Sequence, residues 1–422
     1  MRSLSALLLS ATLVACSTTP VGPDYHVPAD AIVDRPGAAA PFAATASSAS
    51  YSMEPLPDHW WRLYQDPTLD ALVGRALERN TDLRQALAHL EKAQAMEDEV
   101  DGRRRPVVTV EGGPAFGHPS GVSEIAPGYK PPSSWEYGIS AGLSYQVDAF
   151  GRIRRMIEAA HADGEAAQAA LDLVRVDVAA GTARAYADAC ASGLRLESAR
   201  HSVALQQQAL DVSTRLQQAG RVGITDSARA RSQLQQLQAA LPPLQASRQA
   251  ALYRLATLTG DLPRDFPRDV AECARPPQVT GAIPVGDGAA LLRRRPDVRR
   301  AERQLAAATA DIGIATADLY PRITLGLSGG SASLGNDLLG RDSFSWSIGP
   351  LISWTIPDNG VAQARIAQAR AEARAAYARF DGTVLTALRE AETALDAYAH
   401  ELDRHAALEA ARDEGTQVAD QA

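Results

Sequence analysis

The chain has 422 residues, 45% of them apolar and 22% charged, with a formal net charge of −8. That length allows two or three ordinary domains or one large elongated one, and the composition excludes disorder. The acidic balance argues against nucleic acid as a partner, because a phosphate polymer needs a basic face.

The first feature along the chain is "MRSLSALLLSATLVAC". Arg2 precedes an apolar run from Leu4 to Val14 that is too short to span a bilayer. Residues 1–15 therefore read as a signal peptide rather than an anchor. Small Ala15 before Cys16 resembles a bacterial lipobox, so Cys16 is expected to carry an N-acyl diacylglycerol group. Stable anchoring needs more than one acyl chain. Ser17, where an aspartate would suggest the inner membrane, favours outer-membrane lipid. No other cofactor and no metal are expected. Residues 16–57 are rich in Pro, Ala and Ser and read as an extended tether.

Residues 58–290 form a first structural repeat. Helical pattern opens at "DPTLDALVG", with Asp66 and Pro67 placed for an N-terminal cap. A β-hairpin over 107–147 follows. After Pro106, Val108 and Val110 alternate with Thr109. In "WEYGISAGLSYQV", Trp135, Tyr137, Ile139, Ala141, Leu143, Tyr145 and Val147 share one face, and polar residues or glycine fill the other. Strict alternation with aromatic ends marks a strand of a membrane barrel.

A long helical hairpin spans 151–260. From Gly151 to Ala219 there is no proline, and a continuous helix there would be about 100 Å long. Leu171, Val174 and Val178 recur at helical spacing. A helix of this length must pack edge to edge with others. Gly220 and Gly223 break it, Thr225 or Asp226 caps the next helix, and Pro242-Pro243 breaks or kinks the return. A connecting segment covers 261–290.

Residues 291–422 form a second repeat. "DVRRAERQLAAA" from Asp297 is similar to "DLRQALAHLEKA" from Asp82, and each reaches a proline 24 residues on, Pro321 and Pro106. A second β-hairpin, 322–356, puts Ile323, Leu325 and Leu327 on one strand. "FSWSIGPLISWTI" supplies the other, and a helix over 359–415 follows. The offset is 215 residues at the prolines and 209 between Gly151 and Gly360. Copy one runs 109 residues from Gly151 to Gly260, but only 62 follow Gly360. The second repeat thus reads as lacking its return helix, about 47 residues, in a truncated chain. Four strands cannot close a barrel, and an open edge is not tolerated in lipid. The remaining strands must come from other copies.

The three cysteines, Cys16, Cys190 and Cys273, fit no zinc or CxxC spacing. Cys190 reads as a small buried side chain, and a pairing with Cys273 stays open with nothing to favour it. Phosphate loops, paired metal ligands and a nucleophile elbow are all missing, so an enzyme is not expected. His59 beside Trp60-Trp61 reads as packing or surface. A trimeric adhesin would combine long helices with a shared barrel, but usually with one barrel segment at the C-terminus.

The segment "LLRRRPDVRRAERQLAAATADIGIATADLYPRITL", 291–325, resembles the signature of outer-membrane factor lipoproteins of tripartite efflux pumps, the NodT-type branch of the TolC family. "YQVDAFGRIRR", the double-proline stretch and the lipobox fit as well. The resemblance covers essentially the whole chain. It implies a mainly α, TolC-like fold. Four strands per chain would join a homotrimeric twelve-stranded β-barrel, above a periplasmic α-barrel. It implies a periplasmic adaptor and an inner-membrane RND-type transporter as partners, and small molecules as cargo. By the same resemblance, Arg215, Gly220, Val222, Gly223 and Ile224 would form the helix tip that meets the adaptor. Thr225 and Asp226 would help close the periplasmic entrance. Ile224 departs mildly from the leucine usual there. The alternatives are a type I secretion channel of the same fold, or an inactive truncated relative.

Overall fold

The structure is a computed structural model that describes residues 19–46, 50–118, 132–334, 340–356 and 358–421. The expected signal peptide and Cys16 lie outside the described residues. Short 3-10 turns at Ile32–Asp34, Pro36–Ala38 and Ala43–Ala46 precede strand β1 (Tyr51–Ser52). Helices α1 (Pro67–Arg79) and α2 (Thr81–Gly102) come next, then strands β2 (Val107–Gly117) and β3 (Ser134–Val147). The 67-residue helix α3 (Arg152–Gln218) follows. Then come α4 (Ile224–Ala239), α5 (Leu241–Leu258), the short α6 (Arg268–Ala271) and β4 (Ile283–Pro284). The second half holds α7 (Gly288–Arg294), α8 (Pro296–Ala317), β5 (Arg322–Leu334), β6 (Phe344–Ser353) and α9 (Val361–Gln421).

The internal repeat is visible at the element boundaries. α2 and α8 both have 22 residues. Their first residues are 215 positions apart, as are those of β2 and β5. α3 and α9 start 209 apart.

The chain divides into two units. One comprises residues 1–28, 91–166 and 301–380, and carries one antiparallel sheet in the order β2-β3-β5-β6. The other comprises 29–90, 167–300 and 381–422. Its core gathers Leu69 and Val73 of α1, Tyr186 and Ala189 of α3, and Leu252 and Leu255 of α5. Alanines at 179, 183, 185 and 189 line that side of α3, so neighbouring backbones can approach closely. Leu255 is fully buried; truncating such a leucine to alanine costs about 2–5 kcal/mol.

Capping follows the sequence at α1. Asp66 Oδ1 accepts from the N–H groups of Thr68 (2.9 Å) and Leu69 (3.1 Å). Its Oδ2 accepts from the Tyr186 hydroxyl at 2.8 Å, tying α1 to α3. At the double proline, α4 ends at Ala239 and α5 starts at Leu241. Pro242 and Pro243 thus occupy the first turn, where their missing N–H groups leave no helical bond unmade.

Two expectations need correction, and one open question is closed. Residues 16–57 are not a loose tether over their described part. Ala31, Ala38, Phe42 and Tyr51 are buried, and β1 pairs in parallel with β4. The Ile32 N–H donates to Asp381 (2.9 Å), and the Tyr51 hydroxyl donates to the Leu395 carbonyl (2.5 Å). Small apolar side chains read as linker composition, yet they also fill shallow grooves between helices. The open question is Cys190: it is buried, as expected, and it is disulfide-bonded to Cys273, 83 positions away. Secondly, neither Thr225 nor Asp226 is the N-cap of α4. Gly223 is, with Asp226 one turn in, accepting from the Gly223 N–H at 3.2 Å.

Candidate functional site

The four-stranded sheet has two chemically distinct faces. Its register aligns Val108, Leu143, Leu327 and Ile348 in one row across all four strands. Val110, Ile139, Leu325 and Ile352 lie on that same face, and Phe116 packs on Trp135 with ring centroids 5.4 Å apart. These side chains are exposed; Ile348 is 70% accessible. The strands contain 10 to 14 residues, enough to cross a bilayer at a tilt. A continuous apolar face of this extent is a lipid-facing surface.

The opposite row is Thr109, Gly142, Ser328 and Ser347, with the Ser328 and Ser347 hydroxyls 2.8 Å apart. Glu111, Ser140, Gly330 and Ser345 form another row on that face. Val107 and Leu351 are apolar departures there. Among the described strands, β2 and β6 each have a neighbour on one side only.

Where strands meet helices, charge is tightly organised. Asp148 Oδ1 accepts from the Ile153 N–H at the start of α3 (2.8 Å), and Asp358 Oδ2 accepts from the Ala362 N–H at the start of α9 (2.9 Å). The two repeats therefore use one capping device. Asp318 lies within 3.5 Å of Arg152, 2.8 Å of Arg322 and 3.1 Å of Arg365. Burial would raise its carboxyl, but the Arg322 bond and the neighbouring guanidinium charges prevail and hold it below the ordinary carboxylate value.

A seat for residues 20–25 lies in the same unit. Arg155, with a side chain 3% exposed, donates to the carbonyls of Val21 (3.1 Å) and Gly22 (3.2 Å) and to Asp24 (2.7 Å). Gly22 has φ +88°, and a Cβ there would sit 2.4 Å from Gly313 Cα. Tyr25 packs on Ala162, Ala306 and Ala307 beneath the Arg303 guanidinium. Burial, with Glu302 beside it, pushes the Tyr25 phenol up to about 12. Sequence reasoning missed this seat, because its partners are more than 130 positions apart.

The residues expected at the helix tip come together at the turn between α3 and α4. Gly220, φ +73°, ends α3, with its N–H donating to the Gln217 carbonyl (3.0 Å). The Arg221 N–H reaches back to Leu216 (2.9 Å), completing a Schellman closure. Arg215 is exposed on the last turn of α3. Val222 is half-buried, and Gly223, Ile224, Thr225 and Asp226 are exposed, Ile224 at 73%. Asp226 also pairs with Arg229 at 3.4 Å. Among the described residues, no group of three or more His, Cys, Asp and Glu could hold a metal ion. No helix among them is long and apolar enough to cross a membrane.

Comparison with known proteins fits this two-faced sheet. The sequence profile of the family described as "Outer membrane efflux protein" matches residues 72–261 and 289–422. Outer membrane protein OprJ of Pseudomonas aeruginosa is 30% identical over 403 residues, covering 93% of this chain and 80% of that protein. Nodulation protein T of Rhizobium leguminosarum bv. viciae is 30% identical over 400 residues, covering 93% and 78%. The solved structure of the outer-membrane channel OprN matches with a TM-score of 0.83 at 37% identity, over 92% of this chain and 85% of that one.

Proposed function

The chain belongs to the outer membrane efflux protein family, and we propose that three copies close one twelve-stranded barrel by joining their open edges. It is the outer-membrane channel component of an efflux pump, crossing the outer membrane as β-strands and reaching the periplasm as helices. The observation that carries the shared barrel is the sheet itself: an apolar outer face, a hydroxyl- and glycine-rich inner face, and, among the described strands, β2 and β6 each with a neighbour on one side only. Lipid satisfies no backbone group, so the edges must find partners, and identical chains supply them head to tail. The polar face then lines a water-filled lumen.

In this reading Cys16 is lipidated in the outer membrane. The tip at Arg215, Gly220, Val222, Gly223 and Ile224 docks on a periplasmic adaptor, and Thr225 and Asp226 sit at the entrance gate. An inner-membrane RND-type transporter supplies the energy, and the chain makes and breaks no bonds. Small molecules pass through the duct, and their selection lies upstream.

The test is complementation. The full chain, expressed with its cognate adaptor and transporter in a strain without its own outer-membrane channel, restores drug resistance. Ile224→Asp abolishes that rescue while leaving the amount of protein in the outer membrane unchanged. Full rescue by Ile224→Asp contradicts the tip assignment.

A further inference from the structure

Cys190 lies wholly buried on α3, in the core that also holds Tyr186, Leu252 and Val270. Cys273 is half-buried, two positions beyond α6, with its Cα 4.7 Å from that of Cys190. Packing holds the same crossing. Val270 is 1% exposed. Gly193, one helical turn past Cys190, leaves room for the chain above it, since a Cβ there would fall 2.1 Å from the Cys273 carbonyl oxygen. The bond closes a loop of 83 positions. That loop contains the end of α3, the tip, α4 and α5. An outer-membrane protein passes through an oxidising compartment, where such a bond persists.

We propose that the Cys190–Cys273 bond is installed in the periplasm by a dithiol–disulfide oxidant and fixes the base of the tip-bearing hairpin. The exchange balances. Cys273 is the more accessible sulfur, and its thiolate attacks the oxidant's disulfide. A mixed disulfide forms and one oxidant sulfur leaves as thiolate. The Cys190 thiolate then attacks the Cys273 sulfur, closing the protein bond and releasing the second oxidant sulfur. Two electrons pass to the oxidant, and the two thiol protons end on its dithiol. Once the core has packed, Cys190 is buried, and exchange reaches the bond through the half-buried Cys273 sulfur.

The experiment uses the full chain, denatured and tagged on free thiols with a maleimide-polyethylene glycol reagent. Cells with and without their periplasmic thiol oxidant are compared. With the oxidant, Cys190 and Cys273 take no tag until reductant is added, and then take two. Without it, both are tagged directly. Free thiols in oxidant-replete cells overturn the bond, and complete pairing without the oxidant overturns its role. A third tag reports on Cys16 alone. For the hairpin base, the Cys190→Ala, Cys273→Ala double variant is cut by trypsin after Arg264 and Arg268 about tenfold faster in the folded state. Its helical unit melts roughly 5–10 °C lower, as expected for releasing a loop of this length. Unchanged cleavage overturns the structural role.

Discussion

Arg155 gives the sharpest local prediction. Arg155→Met keeps most of the buried stem but removes every donor of the guanidinium. The bonds to Asp24 (2.7 Å) and Glu158 (2.7 Å) are lost, but those carboxylates are 78% and 39% exposed, so water replaces the arginine. The Val21 and Gly22 carbonyls lose the donors that hold them to α3. Two hydrogen bonds from a charged donor contribute about 3 kcal/mol or somewhat more in total. Burial disfavours the charge, but Glu158 and Asp24 outweigh it and hold Arg155 above its ordinary value, so the clamp stays charged at working pH. The strap should therefore open about a hundredfold more often. Hydrogen exchange reads this at the Val21 amide, which donates to the Phe150 carbonyl at 3.1 Å. Exchange there accelerates about a hundredfold, while amides around Leu69 and Leu255 stay unchanged. Equal Val21 exchange in both proteins would refute the reasoning.

Other consequences follow from the two faces and the ion clusters. Leu327→Arg places a charge in the middle of the lipid-facing row, at about 2–4 kcal/mol. The assembled barrel in outer-membrane fractions should fall sharply, whereas Ser328→Arg, on the opposite face, should assemble and lower conductance. Asp318 has a folded pKa below its unfolded value, so its stabilisation is complete above the ordinary 3.8 and is lost as pH falls through the folded value. The melting difference between Asp318→Asn and the parent should thus be full at neutral pH and close in acid; a pH-independent gap contradicts the pairing. His161 is the reverse case. Its hydrogen bond to Glu97 raises it, so its contribution is complete below 6.5 and lost as pH rises through the folded value. At 61% exposure the effect is small, and a His161→Gln difference should appear only in acid melts.

What the sequence revealed depended on how local the governing physics is. The period-2 pattern of 135–147 became β3, Ser134–Val147, because side-chain alternation is fixed residue by residue. The repeat offsets were legible for the same reason, and they reappear at α8 and α9. β6 ends at Ser353 rather than 356, and Trp354 instead donates to the Leu319 carbonyl at 3.2 Å. At the tip, the breaks at Gly220 and Gly223 were readable, but the capping geometry was not, since Gly223 leaves Asp226 to reach back. Features joined across long separations were invisible, as with the Arg155 seat and the buried stations of residues 31–51, or undecidable, as with the Cys190–Cys273 bond. Each depends on where distant helices pass, which no local periodicity encodes.

The central claim is that this sheet is one part of a shared barrel. The most direct measurement is the native mass of the full chain extracted from outer-membrane fractions in detergent, read by light scattering with the detergent contribution subtracted. The account predicts a protein mass three times that of one chain. A monodisperse monomer, with β2 and β6 unjoined, would contradict it.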